Sequence, residues 1–316
     1  MLRNTVEEGG YDAIFICSEA ILELILPLIG VCPAWRALPL SAPDSVKVTL
    51  SKSASLRLAE KAGVVVPRTL VPTDQNQVEA LGRELGFPLV VKGDKGEATQ
   101  NVRFVWQPSE LLARYMQVSA ADSVYHGRPA LQEFIPGPQY SLGGLFHDGE
   151  PLRICAYRKL FTYPIPGGLT AKAITERPRE LLDSACAIFR ALRYTGFGQV
   201  QFIRDSRDGR FKFLEINPRV WACIGLAQHA GVDLYTPYAD LAAGRPVRPD
   251  LAYKEGVQYH RFTVELRLVL RRPSHLFQFV KDSLNPRVHS DFEWGDPGPH
   301  LPSIHQLKCL RMARMN

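Results

Sequence analysis

Short apolar runs bounded by Gly and Pro recur along the chain and predict alternating strands and helices. Leu89–Lys92 follows the breaker Gly86-Phe87-Pro88 and predicts a strand, as does Ala130–Ile135 before Pro136-Gly137-Pro138. Helical spacing of apolar residues, with Gly or Pro near the ends, predicts helices over roughly residues 76–85, 179–192, 221–229 and 276–284. Residues 262–270 fit either a strand or a helix. The pattern indicates an α/β protein.

The sequence pattern of the N-terminal residues predicts a strand followed by two helices. Tyr11–Cys17 predicts a short buried strand, and Ser18-Glu19 predicts a helix start, because Ser caps helices and an acidic residue suits the first turn. Apolar spacing from Asp44 to Gly63 predicts one helix that Gly63 ends. Lys52 lies near the start of that helix, where a solvated surface position explains it equally well.

Residues 196–219, GFGQVQFIRDSRDGRFKFLEINPR, predict two antiparallel strands joined by a polar, Gly-containing loop. Alternate side chains of a strand share a face, so Glu215 and Asn217 lie together and Gln201 of the other strand can face them. Three oxygen-bearing side chains followed at once by Arg219 indicate a metal and phosphate site. The alternative is a solvated surface hairpin, which the several apolar residues of this stretch disfavour.

Lys92 ends a buried strand and faces the Gly-containing loop of residues 93–97. Gly lets backbone N–H groups approach phosphate oxygens, and Lys supplies a point charge. The loop lacks the GxxxxGK[ST] pattern of a P-loop, so two glycines alone are weak support. A phosphate-binding role for Lys92 therefore depends on other residues that converge with it.

The segment between the strand at residues 130–135 and the next predicted strand, residues 139–146, crosses between subdomains. Such a connector offers backbone groups to the edge of an adenine ring, with Gln132 and Gln139 at base and ribose distance. A plain interdomain link is the alternative. Residues 153–158 continue the sheet, and residues 161–168, rich in Pro and Gly, predict a loop that could act as a hinged flap.

Composition places the chain among ordinary globular proteins of two or three domains, with 316 residues, 46% of them hydrophobic and 22% charged. The formal charge of +6 suits anionic ligands such as nucleotides. The basic residues are dispersed and no nucleic-acid-binding motif is present, so we do not expect a nucleic-acid partner. The apolar stretch of residues 20–35 contains Glu23, Pro27 and Pro33, which disfavours a membrane span or a signal peptide.

The six cysteines are widely spaced and form no CxxC pair, so neither a zinc site nor a disulfide framework is indicated. A reducing cytoplasm is the expected compartment. They are Cys17, Cys32, Cys155, Cys186, Cys223 and Cys309.

Taken in order, residues 45 to about 245 resemble the ATP-grasp superfamily, within it the carboxylate-amine ligase and carbamoyl-phosphate-synthetase-like branch. The resemblance rests on the lysine-bearing helix before Gly63–Thr69, the strand Phe87–Lys92, the connector Gln132–Gly137, the strand of Gln201 and the run Glu215-Ile216-Asn217-Pro218-Arg219. It implies an α/β (α+β) fold in which two ATP-grasp subdomains clasp Mg-ATP.

The resemblance also implies three regions. Residues 1–48 would form a partial Rossmann-like unit, and residues 49–250 would form the ATP-grasp domain, with a lid subdomain at about 67–133. Residues 251–316 would be a C-terminal extension. The first strand and Gly-rich turn usual in relatives are not found, so we expect either a start further upstream or a reduced N-terminal unit.

By this resemblance Lys52 and Lys92 would hold the ATP phosphates. The Gln132 side chain and the backbone of Glu133, Phe134 and Ile135 would address adenine, and Gln139 would face the ribose, where the family more often has an acidic residue.

The metal ligands implied by the resemblance are Glu215, Gln201 and Asn217. Glu215 would bridge two Mg²⁺ ions, or Mn²⁺, with Gln201 completing one coordination shell and Asn217 the other. Gln201 replaces a commoner acidic ligand, although carbamoyl-phosphate synthetases are similar in using Gln there. Arg219 would stabilise charge on the transferred phosphoryl group or on the tetrahedral species that follows.

The substrate carboxylate would be held by Arg158, Lys172 and Tyr157 near the flap, although all three are equally explained as surface residues. The implied reaction transfers the γ-phosphoryl of ATP to that carboxylate, giving ADP and an acylphosphate, which an amine then attacks. The expected partners are a small carboxylate and an amine, of amino-acid or peptide-like character, and a homodimer is expected. A non-catalytic ATP sensor or an interaction protein is the alternative, and the basic residues between 254 and 314 could instead dock an anionic partner.

Overall fold

The computed structural model describes residues 8–29, 37–94, 101–122, 128–165, 167–293 and 295–296. Some sequence predictions concern residues outside these ranges. They are the end of the loop after Lys92 at residues 95–97, Pro166 of the predicted flap, Cys32, Cys309 and the basic residues beyond 296.

Helices and strands alternate along the described chain. The helices are α1 (Glu19–Ile25), α2 (Pro43–Leu50), α3 (Lys52–Lys61), α4 (Val78–Leu85), α5 (Leu111–Asp122), α6 (Arg179–Leu192), α7 (Ile224–His229), α8 (Tyr235–Ala242), α9 (Phe262–Arg271) and α10 (Leu276–Leu284). The strands are β1 (Thr69–Leu70), β2 (Leu89–Lys92), β3 (Val102–Val105), β4 (Ala130–Glu133), β5 (Gln139–His147), β6 (Glu150–Tyr163), β7 (Leu169–Thr175), β8 (Gly196–Arg204), β9 (Phe211–Asn217), β10 (Gln258–His260) and β11 (Val288–Ser290).

The strands form two sheets. The smaller has the order β1-β4-β2-β3, and the larger has the order β11-β10-β7-β6-β5-β8-β9. Neighbouring strands are antiparallel throughout, except for the parallel pair β10 and β11. The α/β prediction is confirmed by these two sheets and their helices.

One face of the large sheet packs against the hydrophobic core, and the other faces a cavity. Along β8, Val200 and Phe202 face a core that includes Phe189 of α6. Gln199 and Gln201, which alternate with them, face a cavity on the other side. A two-residue period thus separates core from site within a single strand.

Several element predictions are confirmed. The strand at residues 89–92 and the helices at residues 179–192 and 276–284 have the predicted bounds. The ambiguous segment at residues 262–270 is a helix, because its buried residues, Val264, Glu265, Leu268 and Val269, recur with helical spacing.

Other element predictions are wrong. Tyr11–Cys17 is not a strand, because single hydrogen bonds, such as the one from Ile14 to Ala37, replace a ladder. The predicted helix from Asp44 to Gly63 is broken at Ser51, whose extended backbone ends α2 and caps α3. Residues 161–163 of the predicted loop instead extend β6.

Candidate active site

A cavity of about 310 Å³ lies between the small sheet and one face of the large sheet. That volume is within the usual range of small-molecule sites. One part of the lining is apolar, with side chains from both sheets and from the connector after β4: Val90, Phe104, Phe134, Ile135, Ile203 and Leu214. Polar and charged groups are contributed chiefly by β2, β6, β8 and β9.

The β8–β9 hairpin brings the predicted oxygen-bearing side chains together. Gln201 pairs with Glu215, and Gln199 pairs with Asn217, in the antiparallel register. The Gln201 Nε2 group donates to Glu215 Oε1 at 2.8 Å, and Asn217 Nδ2 donates to Gln199 Oε1 at 3.1 Å. The alternative of a solvated hairpin is therefore wrong, since all four side chains line the cavity.

Lys159 is a cavity residue that the sequence analysis missed. Its Nζ atom donates to Gln201 Oε1 at 2.7 Å and to Gln139 Oε1 at 3.2 Å. Burial lowers the pKa of Lys159, while the neighbouring Glu215 carboxylate raises it. Most of β6 is at least partly buried on both faces, so no polar alternation distinguishes Lys159 from Arg158 in the sequence.

Lys92 lines the same cavity at the end of β2. Burial lowers its pKa to about 8; Lys52 adds a smaller lowering effect, and Glu215 opposes both. Lys52 begins α3, and its backbone N–H donates to the carbonyl oxygen of Asp94, two residues after Lys92. Lys52 does not line the cavity, but its charge is close enough to influence Lys92.

The pKa of Lys92 predicts how nucleotide binding will depend on pH. A phosphate-binding Lys must be protonated, so affinity for ATP should be greatest below the pKa of about 8 and should fall as pH rises through it. Well above that pKa, the loss should approach about tenfold per pH unit. The measurement is the dissociation constant of a non-hydrolysable ATP analogue between about pH 7 and pH 9.5.

Lys92→Arg is the matched variant, since a guanidinium stays charged over this range. It should remove the decline near pH 8 even if its affinity at neutral pH is lower. An unchanged pH profile in Lys92→Arg would show that another group controls binding.

The predicted adenine connector borders the cavity. Gln132, Glu133 and Gln139 contribute to its lining, together with Phe134 and Ile135. Gln132 Nε2 donates to Thr69 Oγ1 at 2.9 Å, and the Glu133 N–H donates to the carbonyl oxygen of Arg68. A Cβ atom at Gly137 would lie 1.9 Å from the Arg204 carbonyl oxygen, so only Gly permits this close approach.

Arg219 reaches the cavity and is held by the N-terminal region. Its Nε group donates to Glu19 Oε1 at 3.2 Å, with both side chains less than one fifth exposed. The Val220 N–H also donates to the Ile16 carbonyl oxygen. Tyr11–Cys17, the segment predicted as a strand, joins neither sheet. Its Ile16 carbonyl oxygen instead holds the backbone next to Arg219.

Arg158 does not reach the cavity, which corrects the predicted substrate contact. It pairs with Tyr140 across β5 and β6, on the sheet face that α6 covers. Its Nε group donates to Glu176 Oε1 at 2.7 Å. Tyr157, one residue earlier and therefore on the opposite face, does line the cavity.

Lys172 is also placed away from the cavity. It is 4% exposed, and its Nζ atom lies 2.6 Å from Asp282 Oδ2 of α10. Gln278 donates to the other carboxylate oxygen of Asp282. The C-terminal helices thus cover Lys172, and its predicted contact with the substrate carboxylate is replaced by a buried ion pair.

Lys172→Met is expected to destabilise the fold by about 3–5 kcal/mol, because it leaves the buried Asp282 carboxylate without its counter-charge. Urea unfolding would measure this loss. Lys172→Met with Asp282→Leu should recover much of it, since no buried charge remains. A stable Lys172→Met protein that bound ATP but had lost its response to a carboxylate substrate would instead support a substrate contact.

The oxygen donors present suit Mg²⁺, which prefers carboxylate and carbonyl oxygens together with phosphate. Glu215 supplies a carboxylate, and Asn217 can supply its amide oxygen because Nδ2 is bonded to Gln199. Within the described ranges, no group of three or more His, Cys, Asp or Glu residues could hold a metal. Any Mg²⁺ here would thus need oxygen ligands from a bound nucleotide as well.

Comparison with known proteins gives a family match over part of the chain. Residues 129–264 match the family model described as "ATP-grasp in the biosynthetic pathway with Ter operon". The chain has the ATP-grasp fold, which confirms the fold prediction, and residues 129–264, less than half of the chain, are similar in sequence to that ATP-grasp family.

Individual relatives are more distant. A biotin carboxylase of Nostoc sp. is 26% identical over 284 residues, which are 83% of this chain and 59% of that protein. A Hydrogenobacter thermophilus biotin carboxylase domain, solved as a dimer with MgADP and bicarbonate, has a TM-score of 0.60 at 17% identity, over 76% of this chain and 60% of that one. An L-amino acid ligase from Bacillus licheniformis has a TM-score of 0.62 at 17% identity, over 81% and 64%.

The chain thus spans about 60% of the length of the first of these relatives. At these identities the solved structures show a shared fold alone. No helix in the described ranges combines the length and apolarity needed to cross a bilayer.

Proposed function

We propose that the protein is an ADP-forming ligase that uses Mg-ATP to activate a substrate carboxylate as an acylphosphate and joins it to an amine. The observation that carries the proposal is the convergence of Lys92, Lys159, Glu215, Asn217 and Arg219 on one cavity. The cavity also has an apolar portion suited to a nucleobase. The fold and the relatives, biotin carboxylases and an L-amino acid ligase, support the same class.

The nucleotide would lie with its base against Val90, Ile135 and Leu214 and its phosphates toward Lys92. Lys92 would bind phosphate oxygens as an ammonium, with Lys52 adding positive charge nearby. Mg²⁺ would be held by Glu215 and Asn217 and, when bound, would neutralise phosphate charge. Of the residues assigned to adenine and ribose, we retain Gln132, the backbone of residues 133–135, and Gln139.

The carboxylate would bind where Arg219 and Lys159 line the cavity. The Arg219 guanidinium can bind two oxygens at once, and it would stabilise the negative charge on the transferred phosphoryl group. The first product is an acylphosphate, whose carbonyl carbon the amine attacks as phosphate leaves. Gly167, Gly168 and Thr170 border the cavity and would limit the access of water to this intermediate.

The proposed function involves three regions of the chain. We propose a partial Rossmann-like unit at residues 1–48, an ATP-grasp domain at residues 49–250 with its lid at about 67–133, and a C-terminal extension. Contact between Glu19 and Arg219 supports a role for the first region in the site. We also propose a cytoplasmic homodimer, and the dimeric state of the Hydrogenobacter thermophilus domain supports the dimer.

The test is substrate-dependent ADP release. Purified protein with Mg-ATP would be supplied with pooled amino acids, other small carboxylates, or bicarbonate with biotin, and nucleotides and new masses would be followed by mass spectrometry. ADP with a condensed product that contains a new amide is the expected result. ADP only with bicarbonate would identify a carboxylase instead. AMP would contradict the acylphosphate route, and binding without turnover would indicate a sensor.

A further inference from the structure

The amide of Gln201 lies between a cation and an anion, which fixes its orientation. Lys159 Nζ can only donate, so the atom 2.7 Å from it must be the Gln201 oxygen. The Glu215 carboxylate accepts, so the Gln201 atom 2.8 Å from it must be the nitrogen. Both ends of the amide are therefore engaged, and its oxygen points to Lys159 rather than toward Asn217.

This arrangement changes the number of metal ligands on the hairpin. Glu215 has one oxygen bonded to Gln201, and its second oxygen remains for a metal. Asn217 uses Nδ2 to bind Gln199, and its Oδ1 accepts a hydrogen bond of 3.4 Å from Arg219 Nη2, which leaves one lone pair of Oδ1 for a metal. Two protein oxygens with a triphosphate suffice for one Mg²⁺ ion, which keeps several waters. Two protein oxygens are too few to hold two Mg²⁺ ions.

We infer that the site binds one divalent ion with its nucleotide, and that the Lys159 ammonium, fixed by Gln201 and Gln139, occupies the place of a second cation. This inference rests on the proposed nucleotide site and revises the two-ion arrangement that the family resemblance implied. A second divalent ion beside Lys159 would experience repulsion from the ammonium. Among the described residues that line the cavity, the carboxylates are Glu215 and Glu133, and Glu133 is bonded to Lys212 and Arg207. A compact ammonium supplies positive charge without any ligand requirement.

Manganese is the probe for counting ions. Electron paramagnetic resonance would measure free Mn²⁺ while it is titrated into wild-type protein saturated with a non-hydrolysable ATP analogue. The expected result is one Mn²⁺ per bound nucleotide. Gln201→Glu should bind a second ion, because it places a carboxylate beside Glu215 and pairs the charge of Lys159. Two ions in the wild type, or one in Gln201→Glu, would overturn the inference.

Lys159→Met provides a second route, with Arg158→Met as its matched control on the opposite face of β6. Lys159→Met should bind the analogue and still take one Mn²⁺, but its ADP release should fall by about 10²-fold or more. Arg158→Met should keep both properties. Unchanged turnover in Lys159→Met would contradict the assigned role.

The ion count separates this inference from the proposed ligase activity. One Mn²⁺ per nucleotide with no ADP release from any substrate mixture would support the inference and reject the ligase. ADP release with two bound Mn²⁺ would support the ligase and reject the inference. Absence of nucleotide binding would reject both.

Discussion

Glu215→Gln is expected to lower substrate-dependent ADP release by about 10³-fold or more, with little change in fold stability. Glu215 is the one carboxylate that the β8–β9 hairpin contributes to the polar part of the cavity. Gln has nearly the same shape, so the substitution removes the negative charge while keeping a side chain beside Gln201. Phosphate charge would then lack a firmly held Mg²⁺, and the rate of the phosphoryl transfer step would fall.

The measurement is ADP release at saturating Mg-ATP, with thermal unfolding of each variant. Glu150→Gln is the matched control, because Glu150 lies on the same sheet but forms an exposed ion pair with Arg190. That variant should retain wild-type turnover. If Glu215→Gln kept more than about a tenth of the activity, the metal role of Glu215 would be wrong.

The hairpin shows why part of the site is predictable from sequence. Glu215 and Asn217 are two residues apart in a strand, and a short turn returns the chain antiparallel, so local rules place both strands and the shared face of Glu215 and Asn217. Regular pairing from the turn would put Gln201 opposite Leu214. A bulge between the Phe202–Phe213 and Gln201–Glu215 pairs brings Gln201 opposite Glu215 instead, and the sequence pattern does not predict that bulge.

Residues that depend on long-range pairing were harder to predict. Whether Arg158 or Lys159 faces the cavity depends on the register of β6 against β5, and both faces of that strand are largely covered. Lys172 was misplaced because α10, more than 100 residues further along the chain, covers it. The strands β10 and β11 have three residues each, too few for a pattern to reveal them.

Contacts of the N-terminal region illustrate the same limit. The buried character of Ile16 was correctly expected, but its partner is the chain after β9 rather than a neighbouring strand. Nothing in the spacing of Glu19 indicates that it pairs with Arg219, 200 residues away. Sequence identified the arginine, while only the fold identifies the carboxylate that holds it.

Arg219→Ala is expected to reduce turnover by about 10² to 10³-fold while leaving the affinity for ATP nearly unchanged. The guanidinium would contact charge that develops on the transferred phosphoryl group, so its loss should act on kcat more than on nucleotide binding. Arg219→Lys should recover only part of the rate. An ammonium keeps the charge but cannot grip two oxygens in the same plane, and it loses the fork that bonds Glu19 and Val220.

Arg193→Ala is the control for charge removal, because Arg193 forms an exposed pair with Asp148 outside the cavity. Its turnover should match the wild type. ATP affinity, carboxylate KM and kcat should be measured for all three variants. A large rise in the KM for ATP with unchanged kcat in Arg219→Ala would place Arg219 on the nucleotide rather than on the reacting groups. Full activity in Arg219→Lys would show that charge alone, without the planar fork, is what the reaction requires.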